Sequence, residues 1–202
     1  MSGTERIFNI FVAAPRDILE ERSVIESVIK DWNTHRGRAA GARAEVVWWK
    51  NRARPRMGDR PQEIINVDVL DNADIVVGIF WTRFGTPTGE ADSGTEEEIR
   101  RSVATGKDVL LYFCDRAVKP SDLDSNQYAR VQAFKQEIQA KRAGLFWEYS
   151  DTRTFRDEFS AHISVALTDL LGDSAATPAV EREAILDQDL AVSKVPGMGT
   201  TF

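Results

Sequence analysis

Cysteine and histidine are scarce in this chain of 202 residues, which contains one cysteine and two histidines. Because Cys114 has no cysteine to pair with, we expect a buried, reduced thiol in a cytoplasmic protein. His35 and His162 lie far apart in the sequence, so the residues for a typical zinc site are missing and no resident metal is expected. A cysteine nucleophile is also disfavoured, because these two histidines are the only ones that can serve as its base.

Standard nucleotide-binding motifs are absent as well. No GxGxxG sequence follows the first predicted strand, and no GxxxxGK[ST] phosphate loop occurs. The Gly-x-Ser-x-Gly motif of esterases is also missing. The side chains left for chemistry are therefore carboxylates, arginines, tryptophans and hydroxyls.

The charge and hydrophobicity of the chain exclude two further classes of protein. The formal net charge is -6 and the pI is near 5.1, which disfavours direct nucleic-acid binding and binding to anionic membranes. No apolar run approaches the roughly 18 residues of a membrane span, and the N-terminus MSGTERIFNIF lacks the apolar core of a signal peptide. We therefore expect a protein that is neither secreted nor inserted in a membrane.

The hydrophobic pattern predicts five strands, each followed by a helix. The predicted strands are residues 7–13, 44–49, 74–81, 108–114 and 145–149, and the predicted helices are 15–35, 61–70, 95–105, 125–142 and 152–171. This alternation predicts an α/β fold with a doubly wound, five-stranded parallel sheet in the order 2-1-3-4-5. We expect residues 1–171 to form this domain and residues 172–202 to be a tail or linker.

A group of carboxylates follows the third predicted strand, in the segment 92–98 with the sequence DSGTEEE. The carboxyl ends of parallel strands are where ligands bind in such sheets, so these residues lie at a candidate site. A purely structural explanation is also complete. Ser93 or Thr95 can cap the next helix, and acidic residues in its first turn complement the helix dipole.

The spacing of the three glutamates distinguishes Glu98 from its neighbours. Glu96 and Glu97 each have an arginine four residues later, an arrangement that favours surface ion pairs. Glu98 has Ser102 at that position and lies beside the apolar face of the helix. We therefore predict that Glu96 and Glu97 point to solvent, whereas Glu98 is partly desolvated, which can raise a carboxylate pKa.

The strand ADIVVGIF, a loop, and D-S-G-T-x-x-E-I at the start of a helix resemble the nucleoside 2-deoxyribosyltransferases. In those enzymes the glutamate of a similar segment is the nucleophile at the anomeric carbon of the sugar. The five-unit plan and the helix glutamate after strand three also resemble Toll/interleukin-1 receptor (TIR) domains. FVAAPRDILEER and FW-x-R-x-GTPTG are most similar to a bacterial TIR-like group, and the resemblance covers about residues 6 to 171.

The resemblance implies cleavage of NAD at the nicotinamide–ribose bond, with NAD as substrate and with no cofactor. It implies Glu98 as the catalytic residue, in a cleft bounded by Pro15, Arg16 and Trp81. The substrate-binding residues that follow from it are Pro15, Arg16, Trp81, Arg83, Phe84, Asp92, Ser93 and Thr95.

Several alternatives stay open at this stage. A nucleoside or nucleotide deoxyribosyltransferase-like hydrolase and a non-catalytic TIR-like interaction module fit the same pattern. The resemblance also implies self-association, a fused or partner sensor domain, and a role in defence or signalling. Trp81 and Phe84 can equally be residues that close the edge of the sheet. The arginines of the basic segment 52–56 (RARPR) fit a phosphate-bearing substrate, a docking surface or a solvated turn.

Overall fold

Five parallel strands form one sheet in the computed structural model of this protein, in the order β2-β1-β3-β4-β5. The strands are β1 (Arg6–Ala13), β2 (Ala42–Trp48), β3 (Ile75–Phe80), β4 (Asp108–Cys114) and β5 (Trp147–Tyr149). Every neighbouring pair runs parallel. The predicted fold class and strand order are therefore confirmed.

The structure describes residues 5–48, 70–86, 93–141 and 144–176, with side chains up to residue 172. The basic segment 52–56, residue Asp92 and nearly all of the predicted helix 61–70 lie outside these ranges. The chain divides into two units, Met1–Ala166 and Leu167–Phe202. All of the site residues discussed below belong to the first unit.

Four helices of ten or more residues are present in the described part of the chain, numbered here in chain order. They are α1 (Glu20–Trp32), α2 (Gly94–Ala104), α3 (Ser125–Lys141) and α4 (Thr152–Ala176). The predicted start of the first helix at residue 15 was wrong by five residues. Its N-cap, Leu19, provides no side-chain hydrogen bond, and the carboxylate of Asp17 is used elsewhere in the fold.

The end of the first helical segment also differs from the prediction. After α1 the chain continues through a π-helical turn, Asn33–Gly37, and a short turn, Arg38–Ala40. Gly41 then ends the segment with a φ of 63°, in the left-handed region that glycine adopts without strain. Asn33 links this turn to β2, since its side chain donates to the carbonyl of Ala44 at 2.8 Å and accepts from the amide of Ala44 at 2.7 Å.

Helices cover both faces of the sheet, as two adjacent residues of β4 show. Tyr112 packs on Phe155 of α4, with ring centroids 5.3 Å apart, whereas Phe113 packs on Phe134 of α3 at 6.4 Å. Because successive side chains of a strand point to opposite faces, α3 and α4 lie on opposite sides of the sheet. All six residues of β3 are buried, as expected for a central strand.

Gly78, in the middle of β3, is packed against by side chains from two other elements. A Cβ atom added there would lie 2.7 Å from Cδ1 of Ile99 in α2 and 2.9 Å from Cδ1 of Leu111 in β4. Real Cβ atoms do not approach other atoms this closely. The absence of a side chain therefore allows α2 to pack directly on the central strand.

Replacing Gly78 by alanine is expected to destabilise the fold by roughly 1–3 kcal/mol, because Ile99 and Leu111 must shift in a close-packed core. Urea or thermal unfolding of the purified variant measures this loss. Gly172→Ala is the matched control, since a Cβ at that exposed helical position meets nothing within 4 Å. Alanine there should leave stability unchanged or raise it by roughly 0.5–1 kcal/mol. Equal stability of the two variants would contradict the packing argument.

Candidate active site

The strand order places a topological switch point between β1 and β3. β2 lies on one side of this pair, and β4 and β5 lie on the other. In open α/β sheets, ligands bind beyond the carboxyl ends of the strands at such a point. We call the residues that follow these two strands, 14–17 after β1 and 81–86 after β3, the switch-point edge.

Asp17 joins the two halves of the switch-point edge. Its Oδ2 atom accepts hydrogen bonds from the amide of Thr82 at 2.9 Å, the hydroxyl of Thr82 at 2.9 Å and the amide of Arg83 at 3.0 Å. Its second oxygen, Oδ1, is buried and has no hydrogen-bond partner in the described part of the chain. Asp17 therefore holds the two strand exits together, and it does not cap α1, whose N-cap is Leu19.

Gln127 of α3 anchors the same loop from the opposite face of the sheet. Its Oε1 atom accepts hydrogen bonds from the amides of Phe84 at 2.9 Å and Gly85 at 3.0 Å. Gly85 has a φ of 117°, and a Cβ atom there would lie 3.0 Å from Cβ of Ser93. The amide of Gly94 donates to the carbonyl of Thr86 at 3.3 Å. The loop after β3 is thus folded onto the start of α2.

Ser93 is the N-cap of α2. Its hydroxyl accepts a hydrogen bond from the amide of Glu96 at 3.0 Å, and its backbone is extended as N-cap residues require. Ser93 is fully buried and Thr95 is nearly so. Of the two capping residues that the sequence allowed, Ser93 is therefore the one used, and its hydroxyl has a structural role.

Glu98, one turn further along α2, is buried with 4% of its surface exposed. The helix that carries it contacts β1, β3 and β4. The hydroxyl of Ser102 donates to the main-chain carbonyl of Glu98 at 2.7 Å, so Ser102 supports the backbone at this turn. The predicted desolvation of Glu98 is confirmed, whereas its contact with Pro15, Arg16 and Trp81 stays a prediction.

The prediction that Glu96 points to solvent was wrong. Glu96 has 9% of its surface exposed, and its Oε1 accepts from Nε of Arg100 at 2.8 Å. The same guanidinium binds both carboxylate oxygens of Glu137 in α3, at 3.0 and 2.8 Å, and lies 5.3 Å from the ring centroid of Phe134. Arg100 is thereby drawn towards α3 and covers Glu96. Its hydrogen bond lowers the pKa of Glu137 to about 2. Glu97 is half-buried.

Two arginines of the switch-point edge are exposed. Arg16 directly precedes Asp17, and the amide of Arg83 is one of the donors to Asp17. Among the described residues, neither guanidinium has an ion pair or a hydrogen bond. Pro15, beside Arg16, is half-buried. The structure therefore brings two cationic side chains to one edge of a protein whose net charge is negative.

The two aromatic residues predicted to line the ligand differ in their surroundings. Phe84 has 2% of its surface exposed and packs against Phe80 and Phe134, with centroid distances of 5.5 and 5.6 Å. Its ring is thus part of the core beneath the site. Trp81 is half-buried, and its Nε1 donates to the carbonyl of Arg116 at 2.9 Å. Of the two rings, Trp81 is the one with surface left for a ligand.

Beside Trp81 lie three residues that we did not predict, Glu21, Arg116 and Tyr149, and one whose predicted burial is confirmed, Cys114. Burial raises the pKa of both the Cys114 thiol and the Tyr149 phenol, so neither is suited to act as a nucleophile at neutral pH. Glu21 carries a signal that the sequence does contain. It stands three residues after Ile18 and four before Ile25, within the apolar stripe of the helix, where a charged residue is unexpected.

Two further findings concern the described residues as a group. They contain no cluster of three or more histidine, cysteine, aspartate or glutamate side chains arranged to hold a metal ion. None of their helices combines the length and the apolar character that crossing a membrane requires.

Asp17→Asn is expected to loosen the loop after β3, because it removes the charge from an acceptor of three hydrogen bonds and places an amide at a buried, unpartnered position. We expect a loss of about 1–3 kcal/mol in the free energy of unfolding. Hydrogen exchange at the amides of Thr82 and Arg83 should become faster. Asp31→Asn is the control, since the partner that the described part of the chain gives Asp31 is Arg156, in an exposed ion pair, and this substitution should cost less than about 1 kcal/mol. Unchanged hydrogen exchange at both amides in Asp17→Asn would refute the role of Asp17 in holding the two strand exits together.

Comparison with known proteins supplies a family. No curated protein matches this sequence. Among solved structures, the crystal structure of oxidised flavodoxin 1 from Bacillus cereus is similar, with 13% sequence identity and a TM-score of 0.38. That match covers 81% of this chain and 98% of the flavodoxin. A family model described as "Domain of unknown function (DUF4062)" matches residues 9–164, and because this is more than half of the chain, the protein belongs to the DUF4062 family.

Proposed function

We propose that the protein is an NAD glycohydrolase that releases nicotinamide, with Glu98 as the catalytic carboxylate. The observation that carries the proposal is the burial of Glu98 near the start of α2, on a helix whose first residues contact the switch-point edge. This is the edge of the sheet where ligands bind in related architectures. The D-x-G-T-x-x-E segment, whose resemblance points to chemistry at an anomeric carbon, adds support from the sequence.

The chemistry needs few participants. Nicotinamide leaves NAD as a neutral group, so little acid catalysis is required, and the positive charge develops on the ribose. A carboxylate close to the anomeric carbon stabilises this oxocarbenium-like sugar electrostatically, by binding ribose hydroxyls, or by brief covalent capture. Burial strengthens any such interaction, because screening by water is weaker inside a protein. Glu98 is assigned this role.

Binding of the diphosphate and of a ring of NAD is assigned to residues of the switch-point edge. Arg16 and Arg83 bind the diphosphate, for which the planar guanidinium offers paired donors. The half-buried Trp81 provides an aromatic surface for a base or for nicotinamide. Phe84 supports this region from the core and does not contact the ligand.

The wider setting of the activity rests on the resemblance to bacterial TIR-like modules. By that resemblance the protein is a cytoplasmic effector module in defence or signalling, activated by self-association and controlled by a fused or partner sensor domain. Assays across a concentration series, with size measurement at each point, test this part. Activity per molecule should rise with concentration as the larger species forms.

Glu98→Gln is expected to slow nicotinamide release at least about a hundredfold, which corresponds to roughly 2.7 kcal/mol of barrier. Glutamine preserves the size and a hydrogen-bonding oxygen but cannot offset the positive charge on the sugar. The fold should be kept, as circular dichroism and thermal unfolding will show. Release is followed by chromatography after incubation with NAD.

Glu97→Gln is the matched control for this substitution, because it removes the same charge from the adjacent, half-buried position. We expect its activity to be close to that of the wild type. Equal, measurable NAD cleavage by wild type and Glu98→Gln would refute the assignment of Glu98 as the catalytic carboxylate, whereas absence of cleavage by both proteins would favour a non-catalytic interaction module. Parallel incubation with deoxynucleosides tests the second enzymatic alternative, since base release from these substrates alone would indicate a deoxyribosyltransferase-like hydrolase.

Arg16→Gln and Arg83→Gln test the proposed diphosphate contacts. Each hydrogen bond to a charged group is worth about 1.5–3 kcal/mol, so each variant should raise the KM for NAD by roughly tenfold or more. Nicotinamide riboside has no phosphate and serves as the control substrate. Its cleavage should be unaffected by either substitution. If NAD and nicotinamide riboside were affected equally, the diphosphate assignment would be wrong.

A further inference from the structure

Glu21, in the first turn of α1, is completely buried, with no exposed surface. Its Oε1 is 3.4 Å from Nη2 of Arg116, and its Oε2 has no hydrogen-bond partner among the residues that the structure describes. The preceding residue, Glu20, binds Nη1 of the same guanidinium, but 65% of its side chain is exposed. Two adjacent carboxylates thus hold one arginine, one from solvent and one from the interior.

The burial of Glu21 is energetically unfavourable. Removing a carboxylate from water costs several kcal/mol, and the long contact to Arg116 together with the nearby buried hydroxyl of Tyr149 recovers only part of this. The orphaned oxygen adds the cost of an unsatisfied polar atom. An apolar side chain would suit this position in the stripe of α1 better. A residue that opposes stability in this way is most readily explained by a task elsewhere in the fold.

Arg116 connects Glu21 to the proposed site. Its carbonyl accepts the hydrogen bond from Nε1 of Trp81 at 2.9 Å, and its guanidinium lies 4.5 Å from the centroid of the Trp81 ring. A guanidinium over an indole is attracted by the electrons of the ring. Trp81 is therefore held along its edge and across one face by a single residue.

In the described part of the chain, the acidic partners of the Arg116 guanidinium are Glu20 and Glu21. The amide of Asp115 donates to the carbonyl of Tyr149 at 2.7 Å, which fixes the chain between β4 and Arg116. The Tyr149 hydroxyl is buried and has no aligned hydrogen bond in the described structure, and burial, followed by nearby Cys114 and Glu21, raises the pKa of this phenol. Because the phenol stays neutral, the charge that faces Arg116 from the interior is that of Glu21.

We propose that Glu21 is a positioning residue, which through Arg116 holds the Trp81 indole as one wall of the nucleotide pocket at the switch-point edge. This inference rests on the proposed function for the identity of the ligand, but not for the contacts themselves. Glu21 affects the affinity for the nucleotide, whereas Glu98 affects the rate at which the nicotinamide–ribose bond breaks. Arg116 links the buried Glu21 of α1 to Trp81 at the switch-point edge.

The position of Trp81 can be observed directly, without an activity assay. The protein labelled with 5-fluorotryptophan contains five tryptophans, and the ¹⁹F resonance of Trp81 is identified as the one lost in Trp81→Phe. In Glu21→Gln we expect this resonance to shift and broaden as the ring is released. In Glu20→Gln it should stay in place, because the exposed pair is weak and screened by solvent. An unchanged Trp81 resonance in Glu21→Gln would overturn the proposal.

Stability and kinetics separate positioning from a merely structural role. Glu21→Gln should melt at or above the wild-type temperature, since it removes a poorly compensated buried charge while Arg116 keeps its ion pair with Glu20. Its KM for NAD should nevertheless rise about tenfold, with kcat within twofold. Equal losses in melting temperature and in kcat would show a structural role and refute positioning. Failure of every protein, wild type included, to cleave NAD would refute the proposed function alone, and the fluorine spectra would still decide the role of Glu21.

Discussion

The candidate site depends on the hydrogen bonds that the carboxylate of Asp17 accepts. One oxygen accepts three hydrogen bonds, two from backbone amides and one from a hydroxyl, and all three donors lie after β3. The carboxylate itself comes from the turn after β1. Without it the two strand exits at the switch point have no direct polar link among the described contacts. A single charged group therefore fixes the backbone of Thr82 and Arg83 next to the turn that carries Arg16.

The side chains packed beneath the switch-point edge are aromatic, whereas Arg16 and Arg83 are exposed on it. Phe80, Phe84 and Phe134 pack below the loop after β3, with centroid distances near 5.5 Å. Gln127 fixes the backbone over these rings by accepting from two consecutive amides. Packing of this kind leaves the loop few alternative positions. The core thus gives the loop after β3 the rigidity that a preorganised binding site requires.

Sequence patterns predicted the elements well and their ends less well. Buried strands are continuous apolar runs, so all five were found, and β4 was placed at the observed residues. The start of α1 was misplaced because the apolar spacing of Ile18 and Leu19 continues that of the helix, whereas the side chain of Asp17 just before them bonds to a loop 65 positions away in the chain. Glu96 was misplaced for a related reason. Its i,i+4 arginine was visible in the sequence, but the attachment of Arg100 to Glu137 of another helix was not.

The amino-acid sequence by itself determined the fold class and the strand order, and it indicated the burial of Glu98, because these follow from the alternation of elements and from local periodicity. Only the tertiary structure decided which side chains share the switch-point edge. It buries Phe84 in the core, leaves Arg16 and Arg83 exposed, and places Glu21 in contact with Arg116. The physical reason is that a side chain's partners depend on contacts between residues distant in the chain, whereas its periodicity depends only on near neighbours.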